Sequence, residues 1–421
     1  MSSISPRSFL KKLFQVAVET ADPMARVPDA LPTKPGGRVV VVGAGKASAR
    51  MAEALESVWG PCEGLVITRY GYGRPTAGIE IVEASHPVPD QVGADATRRM
   101  LELLHPLGKD DFVLALISGG GSALLCAPAG EISLAEKQAI NAALLASGAA
   151  IDQMNIVRKH ISRVKGGQLA AAAFPAKMLA LLISDVPGDD PAFIASGPTV
   201  GDNSTPGDAL EILENFNIAI PQSVREVLSG KSAVLAPRAK QLSRVENRII
   251  AAPSQSLEAA ASLAQDQGMT VAILGDDLEG EARELGKTQA EQALAIKRNL
   301  KPGQGPVLLL SGGECTVTRK GNGSGGPNAE FMLAAALTLG GEANIYGLAC
   351  DTDGVDGAEE VAGAIIDPAS LNRAEKVGVD AESMLKNNDS HSFFKATGDQ
   401  VITGPTLTNV NDFRAFLIMA E

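Results

Sequence analysis

The stretch Leu116–Pro128 reads LISGGGSALLCAP. An apolar run, Phe112 to Ile117, stops at Ser118-Gly119-Gly120-Gly121-Ser122. Three successive glycines forfeit backbone entropy and pack nothing, so something must approach this backbone closely. Three other apolar runs end in similar loops: VVVVGAGKASARM (Val39–Met51), LLISDVPGDDP (Leu181–Pro191) and LLLSGGE (Leu308–Glu314). Backbone N–H groups in such loops, followed by a helix N-terminus, cradle anions. One such loop alone is an ordinary tight turn; four at equivalent strand ends point to a site beyond the carboxyl ends of the strands.

Lys46 stands in the first of these loops, where a point charge suits a phosphate or carboxylate. A merely solvated lysine is disfavoured there, because a helix N-terminus prefers anions. Gly43 to Ser48 nearly matches the dinucleotide pattern GxGxxG, with serine at the last glycine. Glu63 has about the right spacing to hold a ribose but precedes its strand, and Arg69 at that strand's end suits a 2′-phosphate. A P-loop does not fit: Val40 replaces its first glycine and Ala47 its Ser/Thr.

Carboxylates follow two strands, Asp185, Asp189 and Asp190 in SDVPGDDP and Asp351, Asp353 and Asp356 in CDTDGVDG, and Glu314 closes LSGGE. Hard carboxylates beside phosphate-cradling loops suggest magnesium, which binds through one or two carboxylates plus substrate phosphates. Asx-turn capping is the competing explanation, equally good for Asp190 and Asp356. The glycine of DTDGVDG falls at its fourth position, which excludes a calcium EF-hand. In NIVRKHISRVKGGQLA (Asn155–Ala170), a continuous helix would put Arg158, Ser162 and Lys165 on one face. That face offers a guanidinium and an ammonium to an acidic ligand, whereas Lys159 and Arg163 read equally well as a solvated stripe. His86, in ASHPVPD, is extended before a proline and either touches the site or packs in its loop. Ser122 lacks the GxSxG context of a nucleophile elbow, so a hydrolase is disfavoured.

The elements that must position these residues are short β-branched runs alternating with alanine-rich helical patterns. Expected strands are 38–42, 64–68, 79–83, 112–117 and 177–184, then 247–251, 270–274, 306–310, 344–349 and 363–367. Expected helices include 46–58, 91–104, 133–148, 254–266 and 278–298. Alternation at this spacing implies an α/β fold. It has two domains, each a largely parallel sheet with helices on both faces, the first Rossmann-like. The polar segment Ser229–Gln241 is the best boundary candidate, giving 1–240 and 241–421, and reads equally well as a loop within one domain. The N-terminus, with Phe9, Leu13 and Phe14, reads as an amphipathic helix, too polar for a signal peptide. Two short echoes, ISGGG with LSGGE and SGPT with TGPT, raise the idea that loops of both domains face one cleft.

The 421 residues carry 37 Lys and Arg against 49 Asp and Glu, a net charge of −12. An acidic surface repels nucleic-acid backbones and anionic membranes. The four cysteines are scattered, with no CxxC, which argues against zinc and disulfides and for a reducing compartment.

Taken together the motifs resemble the class II glycerate kinases, with a Rossmann-like N-terminal domain and a C-terminal MOFRL region, here about 305–415. The resemblance runs in order through GAGKAS, HPVPD, ISGGGSALL, VRKHIS, VKGG, SDVPGD, IASGPT, LSGGE, TDGVDG and TGPTLTNV. It implies a cytoplasmic enzyme that phosphorylates D-glycerate at the C2 hydroxyl with ATP and Mg2+, its site in the interdomain cleft. It implies Lys46, Asp185 and Asp189 as catalytic residues. It assigns Ser118, Gly119, Gly120, Gly121, Ser122, Gly312, Gly313 and Asn328 to the nucleotide. Arg158, Lys165 and His86 fall to the substrate, and Asp189, Glu314, Asp351 and Asp353 to the metal. The partners expected are the small-molecule substrate and the nucleotide, with no nucleic acid and no membrane; a homodimer is admitted but nothing requires it. One departure stands out: Pro327 occupies the place where the family often has arginine, leaving Lys46, Arg319 or Lys320 to supply the charge. The runner-up is an NAD(P)H-dependent hydroxypyruvate reductase, resting on Gly43–Ser48 and Arg69; a non-catalytic sugar-acid sensor would leave the paired carboxylates idle.

Overall fold

The computed structural model describes residues 5–420. Its contacts divide into two compact units: one holds Pro23–Asp185 and Asp189–Ala251, the other the segment ending at Asp22, Val186–Gly188 and the chain from Ala252 onward.

In the first unit, β1 (Val39–Ala44), β2 (Glu63–Arg69), β3 (Ile79–Ala84), β4 (Phe112–Ile117), β5 (Lys177–Ile183) and β6 (Val245–Ala251) form one sheet in the order β3-β2-β1-β4-β5-β6. All neighbours are parallel. Every residue of β1 and β4 is buried, as continuous apolar strands covered on both faces should be. The strand order reverses between β1 and β4, so the loops that follow them lie side by side at the topological switch point, where open α/β sheets bind ligands. The sheet continues through β6 to Ala251, beyond the boundary expected at 240. Polar Ser229–Gln241 is a loop within this unit, and β6 closes the sheet's edge by pairing with β5.

The second unit contains β7 (Thr270–Ile273), β8 (Gly280–Glu281), β9 (Val307–Gly313), β10 (Cys315–Thr316), β11 (Ile345–Asp351), β12 (Gly363–Ile366), β13 (Gln400–Val401) and β14 (Asp412–Ile418). Its main sheet has the order β13-β12-β11-β14-β9-β7, while β8 and β10 form a separate two-residue ladder. Only β7 and β9 pair in parallel in the main sheet; its other pairings are antiparallel. The expectation of two largely parallel sheets therefore fits the first unit, whereas this second sheet is mixed. Two antiparallel pairings come from β12, which runs against β11 and β13, and two from β14, which the sequence reading did not include. It inserts between β11 and β9, antiparallel to both.

Period-two alternation along β14 sorts its side chains. Phe413, Ala415 and Leu417 face one core, Phe416 and Ile418 the other. The first core is closed by the N-terminal helix Pro6–Thr20, which contributes Phe9, Leu10, Leu13, Phe14 and Ala17. That apolar stripe is why the helix counts with the second unit and not with the Rossmann-like one. Arg7 adds ion pairs to Asp367 (2.6 Å) and Asp399 (2.9 Å). Among the described residues, no helix is long and apolar enough to cross a membrane.

Candidate active site

The loop after β1 packs directly on the loop after β4. Gly45 has φ +146°, and a Cβ there would lie 2.0 Å from Ser118 Oγ. Ser118 is fully buried; its Oγ accepts from Ala47 N–H (3.0 Å) and lies 3.2 Å from Ser48 Oγ. Ser48 in turn donates to Leu116 O at 2.9 Å. The Ser118 hydroxyl, expected at a phosphate, braces two loops in the structure. The dinucleotide pattern loses its meaning for the same reason, because Gly45 makes room for Ser118. Glu63 lies at the start of β2, paired with Arg38 at 2.7 Å, and Arg69 stacks over Tyr72, 4.7 Å from its centroid.

Lys46 and His86 do meet the glycine loop. Lys46 N–H donates to Gly119 O at 2.8 Å. Gly120 is left-handed, φ +77°, and a Cβ there would lie 3.1 Å from the His86 ring and 3.2 Å from Lys46 Cγ. A side chain at 120 would press on both Lys46 and His86. Gly121 opens a short helix, Gly121–Leu124. Ser122 Oγ lies 2.8 Å from Ser196 Oγ, which donates to Asn155 Oδ1 at 2.9 Å. Ser196 and Ala195 are non-glycine residues at φ +63° and +52°, strain of the kind that persists where surrounding structure over-determines it. Sequence reasoning missed Ser196 and Asn155 as site residues; the small-residue run IASGPT was the available signal.

The basic segment is rearranged relative to expectation. The helix ends at His160, so Arg158, Ser162 and Lys165 do not share one helical face. Left-handed Gly166 and Gly167 begin a new helix, Gln168–Ala173. Lys165 is 1% exposed, and its Nζ donates to Ser122 O (2.8 Å) and Ala195 O (3.4 Å). It ties the glycine loop to the strained turn. Burial, then repulsion from Lys137 and Arg158, drives its pKa well below the usual lysine range. Burial also lowers Arg158, which is half-buried. Lys159 is no solvated stripe: it is buried and paired with Asp202.

Beyond β5, Asp185 is half-buried. Asp189 is left-handed, φ +55°, and its buried Oδ1 has no hydrogen-bond partner among the described residues. Asp190 accepts from Ala192 N–H at 2.8 Å, the capping role.

In the second unit the residues expected at the nucleotide make internal hydrogen bonds. The carbonyls of Gly312 and Gly313 accept from buried Arg414 at 3.0 and 2.9 Å. Asn328 is 1% exposed and its Nδ2 donates to Asp412 at 2.6 Å. Asp356 occupies the N-terminus of helix Pro327–Leu339, accepting from Asn328 N–H (2.9 Å) and Ala329 N–H (2.8 Å). Those amides are therefore taken, and Pro327, at the helix's first position, has none to give. Burial raises the Asp356 carboxyl to about 7. Arg319 folds back on the carbonyls of Gly321 and Gly323. Glu314 is exposed after β9. Asp351 accepts from Asp353 N–H (2.9 Å) and Asp353 from Val355 N–H (2.7 Å), as Asx turns do. Among the described residues no group of three or more His, Cys, Asp or Glu side chains gathers to hold a metal.

A parallel sheet of order 3-2-1-4-5-6, with a lysine and a glycine loop at its switch point, defines an α/β protein whose candidate ligand site lies there. Comparison with known proteins narrows the class. Residues 9–229 match the family model described as a domain of unknown function, DUF4147, and residues 307–412 match the MOFRL family. The D-glycerate 2-kinase of Thermotoga maritima is 42% identical over 98% of this chain and 99% of its own. A protein of Agrobacterium vitis named putative hydroxypyruvate reductase is 51% identical over 99% of this chain and 95% of its own. The crystal structure of Thermotoga maritima glycerate kinase superposes with a TM-score of 0.87 at 40% identity, covering 98% of this chain and 99% of that one. The chain belongs to the glycerate kinase family built from a DUF4147 and a MOFRL region.

Proposed function

We propose that the protein transfers the γ-phosphoryl group of ATP to the C2 hydroxyl of D-glycerate, giving 2-phosphoglycerate and ADP. The observation that supports this reading is Lys46, fixed through its own backbone to Gly119 at the β1/β4 switch point, beside a glycine loop on which His86 and the Lys46 stem both close at Gly120. Phosphoryl transfer is mostly positioning and charge neutralisation. Lys46 neutralises charge on the transferring group, and the backbone of Gly119–Gly120 lets phosphate oxygens approach. His86 flanks the same point, and Arg158 holds the substrate carboxylate through its fork. The hydroxyl oxygen attacks the γ-phosphorus, the bond to the β,γ-bridging oxygen breaks, and the hydroxyl proton passes to a carboxylate of the Asp185–Asp189 loop.

Magnesium fits this loop, because the buried Oδ1 of Asp189 lacks a partner and is the hard donor such an ion takes. Asp189 would hold such an ion, which would supply positive charge to offset that of the nucleotide phosphates. The reductase reading has less support. Gly45 is needed by Ser118, and Glu63 is paired at the wrong end of β2. The test is a pair of assays on one preparation. D-glycerate with ATP and Mg2+ should yield ADP, and hydroxypyruvate with NADH or NADPH should give no oxidation. The reverse pattern would replace this reading with the reductase.

A further inference from the structure

Three cations that face no carboxylate lie beneath the glycine loop. Lys137 is 2% exposed and Lys165 1%. Lys137 Nζ donates only to Ile161 O, at 3.2 Å, while Lys165 Nζ reaches the carbonyls of Ser122 and Ala195. Arg158 makes no hydrogen bond or ion pair with any described residue. Buried charges are ordinarily paired, since leaving water without a counter-ion is costly. The titratable groups that reach Lys137 and Lys165 are each other, Arg158, Lys159 and the Cys126 thiol. Lys159 is already paired with Asp202, and the carboxylate of Asp90 bears on Cys126 alone of this set. The cluster therefore places two buried amines and a guanidinium together, with no carboxylate among the described residues paired to them.

We propose that Lys137, on helix Leu134–Ser147, is the hidden third cation of the substrate-carboxylate site formed with Arg158 and Lys165, its charge completed by the bound carboxylate. It is a positioning residue, because it is covered and acts through the other two. The inference rests on the proposed substrate and extends it to a residue that motif spacing did not single out. The occupant is a small carboxylate rather than a polyphosphate, because the donor left open is a single guanidinium fork, which matches two carboxylate oxygens.

The consequence is proton uptake. Burial, with repulsion from Arg158, lowers Lys137 to about 8, and Lys165 lies well below its usual range. An anion beside them favours the charged ammonium, so binding draws protons from solvent. At pH 8 about half a proton should enter through Lys137 alone. Calorimetric titration of the full-length protein with D-glycerate, without ATP, in Tris and in HEPPS reads this directly. Uptake of about half a proton or more is the expected result; binding without uptake, or no binding, overturns the proposal. In steady state, Lys137→Met should raise KM for D-glycerate at least tenfold while KM for ATP stays within about twofold. A rise in KM for ATP instead would make the cluster a phosphate site and overturn the assignment. Should the variant not fold, the wild-type titration decides. Wild-type turnover is measured alongside: its absence defeats the kinase reading, whereas turnover without proton uptake defeats only the cation assignment.

Discussion

Lys46 is tied by its own N–H to Gly119, a contact that a side-chain substitution leaves in place, and its stem packs against Gly120. Lys46→Ala should lower kcat by about 10²–10³, the loss seen when one electrostatic stabiliser is deleted, with an unchanged melting temperature. Near-normal kcat or early melting would end this role. Pro327 is the converse case. Proline suits the first position of a helix, and Asp356 already occupies the amides behind it. Pro327→Arg should therefore change glycerate turnover by less than about tenfold, consistent with Lys46 already supplying charge; a hundredfold gain would contradict that. At this scale the positions of Lys46, Gly120 and Asp189 at strand ends were legible, because strand-end glycines and acids are visible in one dimension. The contacts that hold Ser118, Asn328 and the Gly312–Gly313 pair were not legible for the same reason. Spacing shows which residues end a strand, but not whether a neighbouring loop, Arg414 or Asp356 has already taken their polar groups.

Elements decide the next level. The first sheet was readable because its strands are continuous apolar runs separated by helical patterns. β14 was not, because Arg414 interrupts DFRAFLI and the polar stretch before it reads as loop. Only the carbonyls of Gly312 and Gly313, with Asp412, make a buried guanidinium tolerable there. The basic segment was misread as one helix because nothing local marks the stop at His160; Gly166 and Gly167 serve the next helix. The N-terminal helix was legible as amphipathic, but its partner was not, since the stripe does not say which sheet it covers. Phe14 is 3% exposed, its ring 6.0 Å from Phe413. Phe14→Ala should destabilise the second unit by about 3–5 kcal/mol. Urea melts should show the loss, and an unchanged midpoint would mean that the helix is dispensable.

For the molecule as a whole, two buried groups act on stability with opposite signs. Asp356 is raised to about 7, so its contribution is full below its unfolded pKa and is lost as pH rises through 7. Lys137 is lowered to about 8, so its contribution is present above the unfolded value and is lost as pH falls through 8. Relative to wild type without substrate, Lys137→Met should gain about 3 kcal/mol between pH 10.5 and 8 and level off below. A pH-independent difference in chemical melts would refute the buried-charge account. The two effects belong to different units. The central claim is that this chain phosphorylates the C2 hydroxyl of D-glycerate. Phosphorus NMR of the product from D-glycerate, ATP and Mg2+ tests it most directly. Phosphate on a CH carbon gives a proton-coupled doublet, and this is the expected signal. A triplet, from phosphate on the CH2 carbon, or no phosphoester signal beyond the nucleotide's, would contradict it.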